Sequence, residues 1–358
     1  MYTSLTDPQV RVKASVILVS YNSHMDLERC LPGLVESLPS DAEIIVVDNA
    51  SSDGSAEYVR SNDMDIILAC SSSNLGYGGA NNMAARLARG KYLVFLNPDT
   101  VVRPHWLEAL LAAFESNPNA GLVTPSILLL DEPTKVNTCG NDIHISGLTM
   151  CRGMGQPQGA FSTVGETAAV SGAAFAIGRE LFLRLGGFDE QFFLYMEDTD
   201  LSLRARLAGY DVLSVSDAVI DHDYQFVCNP MKTYYQERNR YRMLLKCLHW
   251  RTLLTLLPVL LLAEAVTWGF VLVFDRGNWQ NKLRAYGTVI RDLGEILDAR
   301  VEAQRMRCIP DSALLRMTSA CLDFRQVGDG WPVAVADRLF NPMFKVLHGW
   351  VLRIVRET

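Results

Sequence analysis

The chain has no basic excess. Its 33 lysines and arginines are outnumbered by 40 aspartates and glutamates, giving a net charge of −7. No overall positive field is available to neutralise phosphates, which excludes a general nucleic-acid binder. There is no CxxC pair: the eight cysteines, Cys30, Cys70, Cys139, Cys151, Cys228, Cys247, Cys308 and Cys321, are scattered. That spacing suggests neither a zinc site nor a disulfide framework and fits a reducing cytosol. The amino-terminal stretch MYTSLTDPQVRVKAS has no apolar core, so no signal peptide is expected there. Internal repeats and low-complexity tracts are missing from the 358 residues, a length that allows a sizeable core and two structural regions. Long apolar runs are missing as well, with one exception deep in the chain, residues 253–274.

What is present is an alternation of short apolar, β-branched runs with helical patterns. Residues 15–20 (SVILVS), 43–48 (EIIVVD), 66–69 and 92–96 (YLVFL) read as buried strands, and residues 122–125 as a fifth. Amphipathic or capped segments lie between them, up to about residue 38, over 55–60, from about 80 to 89, and after Pro104. Residues 76–79 read as a flexible turn. From 127 to 170 the pattern weakens, and short strands and a mobile loop are expected. A strand over 169–177, a helix over 179–185, a helix opening at Glu197 and a strand over 212–220 follow. After Pro230 only helices are expected. The fold class is therefore α/β with a mostly parallel central sheet over residues 1–229, followed by a helical region over 230–358.

In an open parallel sheet, ligands bind outside the carboxyl ends of the strands. Three polar clusters fall there: Ser20-Tyr21-Asn22, Asp48-Asn49-Ala50-Ser51 and Asn97-Pro98-Asp99-Thr100. Each alone is ordinary turn chemistry; three at one edge suggest a site. Between them lies Asn74-Leu75-Gly76-Tyr77-Gly78-Gly79-Ala80-Asn81-Asn82, whose glycines allow close backbone approach, although the spacing is neither a Walker loop nor GxGxxG. Further on, GFDEQFFLYMEDTDLSLRARLAG (187–209) places Glu197, Asp198 and Asp200 at a helix mouth. Acids there suit the helix dipole, so a capped surface helix is the plain reading. The aromatic run before them argues for carboxylates in a partly apolar pocket, where one can act as a base. His222, between Asp221 and Asp223 at a strand end, is either a structural polar residue or a metal ligand. Arg238 and Arg240 lie on a basic helix that is either a solvated face or part of the site.

Taken in order, SVILVSYNS, IIVVDNASSDGS, NLGYGGANN, YLVFLNPDT, VSGAAFAIGRELFLRLGGFDEQFFLYMEDTDLSLRARLAGY, His222 and YYQERNRYR, over about residues 16–242, resemble the family 2 glycosyltransferases of the GT-A fold, particularly their bacterial rhamnosyltransferase-like branch. The resemblance implies inverting transfer of a sugar from a nucleotide diphosphate donor, dTDP- or UDP-linked, to a hydroxyl of a glycan or lipid-linked acceptor. It implies Mg²⁺ or Mn²⁺ as cofactor. It divides the α/β part into a donor-binding half, about 15–125, and an acceptor half, about 126–229. Asp48 resembles the carboxylate that reads the donor base, Asp99 the second acid of the DxD motif that holds the metal, Asp198 the catalytic base, and His222 a histidine that completes the metal or diphosphate site in some relatives. Glu197 or Asp200 is the alternative base. The donor site would comprise Ser20, Tyr21, Asn22, Asp48, Asn49, Asn74, Gly76, Gly79, Asn82, Asn97 and Arg238, with Arg238 or Arg240 assisting the leaving diphosphate. The first acid of DxD is Asn97 here, which removes one negative charge and gives His222 more weight.

Two other readings compete: a sugar-phosphate nucleotidyltransferase, which would carry a Gly-rich basic loop where Ser20-Tyr21-Asn22-Ser23 stands, and a non-catalytic glycan binder of the same fold. Residues 253–274 number 22, about the span of a bilayer core, and hold fourteen Leu, Val or Phe, but also Glu264 and Pro258. The basic residues flanking the run are nearly balanced, which suggests a segment lying in or re-entering the membrane from the cytoplasmic side. Phe344, Leu347, Trp350, Val351 and Ile354 recur at helical spacing near the end of the chain and support surface attachment.

Overall fold

The computed structural model describes residues 12–62, 64–161, 164–224, 230–328 and 330–356. The elements run β1 (Ala14–Ser20), α1 (His24–Ser37), β2 (Ala42–Asp48), α2 (Ser55–Ser61), β3 (Ile66–Cys70), α3 (Gly76–Leu87), β4 (Tyr92–Leu96), β5 (Thr100–Val102), α4 (Trp106–Ser116) and β6 (Ala120–Leu129). They continue with β7 (Val136–Thr138), β8 (Asn141–Ile143), β9 (Thr149–Cys151), β10 (Gly165–Glu166), β11 (Ala174–Gly178), α5 (Arg179–Arg184), α6 (Glu197–Leu207) and β12 (Asp211–His222). Six helices close the chain: α7 (Pro230–Cys247), α8 (Trp250–Phe274), α9 (Trp279–Arg291), α10 (Leu293–Arg305), α11 (Asp311–Arg316) and α12 (Trp331–Arg356). The expected border at residue 229 falls outside the described residues, as does Cys228. The described cysteines are all unpaired.

The main sheet runs β10-β12-β6-β11-β4-β1-β2-β3. β3, β2, β1 and β4 are mutually parallel, and β6 and β12 run the same way; β11 is inserted antiparallel between β4 and β6. Side chains alternate between two cores, as the period of a strand requires. Val16, Leu18, Ile44 and Val46 face α1 and α4, whereas Ile17, Ile45, Val47 and Phe95 face α3, α5 and α6. Both faces being covered explains the unbroken apolar runs.

The Gly-rich stretch is not a loose turn. It forms the first turn of α3, because the aromatic segment before α6 packs directly on it. A Cβ on Gly76 (φ +72°) would collide with the Phe193 carbonyl oxygen, and one on Gly78 would lie 3.0 Å from the Phe188 Cβ. The plain reading of α6 as a surface helix is also overturned: all eleven of its residues are buried. Leu201 and Ala205 enter the sheet-side core, while Leu203 and Leu207 enter a third core shared with Met243, Leu244, Leu256, Val259 and Phe344 of α7, α8 and α12. The carboxyl-terminal helices thus bury the other side of the helix that carries the acidic cluster.

Candidate active site

The carboxyl ends of β1 and β2 lie in register, with Ser20 opposite Asp48. Both are buried, and Ser20 Oγ and Asp48 Oδ1 have no hydrogen-bond partner. Buried polar atoms are normally paired, so two orphans at adjacent strand ends mark a place built for a ligand. Tyr21, half exposed, stands beside them. The neighbouring asparagines shape the rim. Asn22 Oδ1 accepts from Ser52 N (2.8 Å), Asn49 Nδ2 donates to Asn74 Oδ1 (3.0 Å), and Asn74 Oδ1 accepts from Gly76 N (2.8 Å). Asn82 is committed elsewhere: its amide bonds Phe188 O (2.9 Å), Phe188 N (2.9 Å) and Glu190 Oε1 (3.0 Å), tying α3 to the aromatic segment. A Cβ on Gly79 would lie 3.0 Å from the Leu75 Cβ.

The half-buried Asn97 and Asp99 follow β4. Asn97 N donates to Ala173 O (2.9 Å), and Gly172 N donates to Asp198 Oδ2 (2.8 Å). The turn before β11 therefore joins the Asp99 loop to the mouth of α6. Asp99 Oδ1 is buried without a hydrogen-bond partner and lies 3.3 Å from His222 Nε2. His222 Nδ1 is 2.9 Å from Asn137 Oδ1, which can only accept, so Nδ1 carries a proton and fixes the ring. A lone pair on Nε2 then faces a carboxylate oxygen, an arrangement held together by a shared proton or a metal cation. The acids beside His222 are occupied: Asp221 is bidentate to Arg103 (2.7 and 2.8 Å), and Asp223 pairs with Arg29 (2.9 Å). Among the described residues no cluster of three or more His, Cys, Asp or Glu could hold a metal. One carboxylate and one imidazole would leave most of a divalent cation's shell to water and substrate phosphates.

Asp198 is held by four donors. Oδ2 accepts from Gly172 N and Asn141 Nδ2 (3.3 Å), and Oδ1 from Thr199 N (2.6 Å) and Thr199 Oγ1 (3.2 Å). Burial pushes its carboxyl up, while the hydrogen bonds from Thr199 and Gly172 oppose that and favour the ionised form. Glu197 is pushed up by burial and then by the charge of Asp198, and its Oε2 is buried without a partner. Together these push the Glu197 carboxyl up to about 8, while the hydrogen bonds to Asp198 offset part of the rise there. Asp200, the other alternative base, pairs with Arg204 Nε (2.8 Å) and Lys246 Nζ (2.7 Å) and is fully buried. The Tyr77 phenol donates to Gly172 O (2.7 Å) and is pushed well up by burial and by the nearby carboxylates of Glu197, Asp198 and Asp99.

The chain segment leading into α6 is unusual. Phe193, Tyr195 and Met196 all have positive φ (61°, 67° and 71°), a conformation costing about 1–3 kcal/mol for each side-chain-bearing residue. Asn239 holds it, donating from Nδ2 to Phe192 O (3.0 Å), Leu194 O (2.9 Å) and Tyr195 O (2.7 Å). Arg238, expected at the donor, is instead a second clamp: it donates to Gln191 O and Phe192 O and stacks over Tyr234 and Tyr235. Arg240 is fully buried in a network with Glu237 (2.6 Å) and Glu264 (2.6 Å), so it does not reach a leaving group. Sequence reasoning missed Tyr77, Asn137, Asn141, Gly172 and Thr199. Gly172 and Thr199 sit inside the quoted motifs, whereas Asn137 and Asn141 lie where no periodic pattern exists.

The α/β fold with its mostly parallel central sheet is that of the GT-A glycosyltransferases. The family model described as Glycosyl transferase family 2 matches residues 15–139, and that described as Glycosyl transferase family group 2 matches residues 92–283. The chain belongs to the family 2 glycosyltransferases, in their rhamnosyltransferase-like branch. It is 28% identical over 231 residues to an N-acetylglucosaminyl-diphospho-decaprenol L-rhamnosyltransferase of Mycobacterium tuberculosis, covering 58% of this chain and 75% of the relative. S. aureus TarS 1–349 in complex with UDP-GlcNAc has a similar fold (TM-score 0.54, 18% identity, 96% of this chain and 92% of that one). So does the mannosyltransferase PcManGT of Pyrobaculum calidifontis, solved with GDP-Man and Mn²⁺ (TM-score 0.50, 18% identity, 97% and 86%). The protein is a nucleotide-sugar glycosyltransferase of glycan synthesis.

Proposed function

We propose that the protein transfers a hexose, with rhamnose the leading candidate, from a dTDP- or UDP-linked donor to a hydroxyl of a lipid-linked or glycan acceptor, with inversion, in cell-surface polysaccharide synthesis. The observation that carries this reading is the junction at Gly172–Ala173, which sets the Asp198 carboxylate beside the Asn97–Asp99 loop. Ser20 Oγ and Asp48 Oδ1 face the donor nucleoside, and Tyr21 offers a ring beside it. Asp99 and His222 would hold Mg²⁺ or Mn²⁺, and the cation, when bound, offsets the charge of the departing diphosphate as a Lewis acid.

Asp198 accepts the proton of the acceptor hydroxyl as its oxygen attacks the anomeric carbon. The bond to the diphosphate breaks on the opposite face, and the diphosphate leaves with the electron pair. Glu197, protonated, adds no second charge. Thr199 and Gly172 keep the Asp198 carboxylate oriented, so little rearrangement is needed at the moment of reaction.

The same reading places the protein on the cytoplasmic face of the membrane as a monotopic enzyme. Among the described residues α8 alone is long and apolar enough to cross a bilayer. It exposes Leu254 (66%) and Leu261 (71%), and α12 exposes Trp331, Val335, Leu339 and Val346 along one side. Glu264, counted from the sequence as a cost of membrane burial, points into the protein and bonds Arg240, Tyr241, Lys282 and Tyr286. Its face of α8 is fixed to α7 and α9, and the opposite face meets lipid. A thermal-shift screen of nucleotide sugars with Mn²⁺, followed by donor hydrolysis and transfer assays, tests the enzyme assignment. A donor that binds but is never hydrolysed or transferred would support a non-catalytic glycan binder instead.

A further inference from the structure

The chain entering α6 makes a reversed turn that its own sequence does not favour. Leu194 N donates to Phe192 O (2.7 Å), closing a three-residue turn on Phe193. The φ of 61° and ψ of −58° at Phe193 are those of the γ-turn form that is rare and strained. Tyr195 and Met196 follow, again with positive φ, and Glu197 and Asp198 come next. None of the three strained positions is a glycine. Side-chain-bearing residues keep such a conformation only where the surroundings over-determine it.

Here the surroundings are α3 and α7. Phe193 O accepts from Tyr77 N of α3 (2.8 Å), and the carbonyls of Phe192, Leu194 and Tyr195 all accept from Asn239 Nδ2 of α7. Asn239 is fully buried. Arg238 Nε donates to its Oδ1 (2.9 Å), which turns the NH₂ end toward the three carbonyls. The Phe193 ring also stacks on Tyr235 of α7, with 5.4 Å between centroids. On the far side, the first turn of α3 is tied to the strand ends: Asn49 Oδ1 accepts from Leu75 N (2.8 Å), and Asn49 N donates to Ser20 O (2.8 Å). A hydrogen-bonded frame thus runs from the end of β1 through α3 and the reversed turn to Asn239. The bonds from Gly172 and Thr199 hold the Asp198 carboxylate oxygens, whereas the turn sets the direction in which α6 begins.

Resting on the reading of Asp198 as the base, we propose that Asn239 is a positioning residue of the transfer reaction. From α7 it imposes the reversed turn at 193–196 and so aims the mouth of α6, with the Asp198 carboxylate, at the donor site. Arg238 supports it by fixing the amide. Asn239 touches no reacting atom and acts through the backbone it holds. The residue type follows from the three acceptors: an ionised aspartate would set oxygens against three carbonyls, and a leucine of similar size offers no donor.

The test uses the full chain in detergent and the variant Asn239→Ala. Amide hydrogen exchange over residues 193–199 should be at least about tenfold faster than in the parent, with β1 and β2 unchanged. Turnover is read as nucleotide diphosphate released from dTDP-rhamnose or UDP-GlcNAc, and binding as the Kd for dTDP and UDP. kcat should fall at least about tenfold while Kd stays within about threefold, because a displaced base costs rate without costing donor affinity. A merely structural role would lower stability and donor binding together. A double-mutant cycle makes the distinction sharper: in the Asp198→Asn background, Asn239→Ala should cost less than about threefold more, since the clamp acts through the base. An equal fall in both backgrounds, unchanged exchange, or unchanged kcat overturns the proposal. If Asn239→Ala no longer binds nucleotide, Arg238→Met, at a partly exposed position, carries the same readouts with smaller effects. No diphosphate release by the parent from either donor overturns the enzyme reading, whereas parent-like turnover by Asn239→Ala overturns the positioning role alone.

Discussion

Asp198→Asn separates the base from its surroundings. The side chain is nearly isosteric, and one amide oxygen can still accept from Gly172 N or from Thr199 N, which lie 2.8 and 2.6 Å from the two carboxylate oxygens. The other end becomes an NH₂ facing a donor, a mismatch of about 1–3 kcal/mol. Against that stand two gains: a buried charge is removed, and Glu197 no longer faces a neighbouring carboxylate. Stability should therefore change little, and nucleotide-sugar binding should persist. Turnover should fall on the order of 10²-fold or more, because a general base contributes in the transition state. The pH profile supplies a second readout. Burial raises the Asp198 carboxyl, so activity in the parent should be lost on acidification at a higher pH than an exposed aspartate would give. Titration of Glu197 should move down in the variant, since the Asp198 charge is one of the causes holding it up. The assay is steady-state transfer with donor and acceptor varied separately, beside a binding isotherm for the donor. Turnover within about threefold of the parent would refute the assignment, and Glu197→Gln would be tested next.

Asp99→Ala should abolish both activity and its requirement for Mg²⁺ or Mn²⁺, and His222→Ala should weaken metal affinity; full activity of the parent in excess chelator would end the metal assignment. Lys246→Met removes the cation shared by Asp189 (2.7 Å) and Asp200 (2.7 Å), which should cost about 3–5 kcal/mol in chemical denaturation, and a loss under 1 kcal/mol would show the pair to be dispensable. Burial opposes ionisation of Asp189, but the charges of Lys246 and Arg242 hold its carboxyl well below the usual range. Its contribution is then present above the ordinary carboxylate pKa and lost as pH falls, so Lys246→Met should flatten the acid limb of a stability–pH curve. The protein should leave membranes with detergent but not with high salt, and a reporter active only outside the cytoplasm, fused to Thr358, should stay silent; strong reporter activity would mean that α8 spans the bilayer.

The sequence by itself determined the α/β order. Runs such as EIIVVD and YLVFL are short, apolar and bounded by Asn, Asp and Gly, so local preference and burial agree there. The placement of Ser20, Asp48 and Asp99 just at or after strand ends followed from the strands themselves, whereas Asp198 lies in the first turn of α6. What local pattern could not express was partnership at long range. α6 has no single apolar face: Leu201 and Ala205 enter one core and Leu203 and Leu207 another, and its polar side chains are accommodated by Arg204 and Arg206 reaching backbone carbonyls of Leu185, Gly187 and Ala168. Arg238 and Arg240 looked like anion binders because the sequence shows charge but not the Phe192 carbonyl or the Glu264 carboxylate that occupies each of them. Glu264 looked like a defect in an apolar run, but four side chains of α7 and α9 close around it: Arg240, Tyr241, Lys282 and Tyr286. What distinguishes Glu197, Asp198 and Asp200, three acids within one helical turn, is tertiary contact: Lys246 and Arg204 pair with Asp200, Gly172 and Thr199 donate to Asp198, and burial with the Asp198 charge pushes the Glu197 carboxyl up.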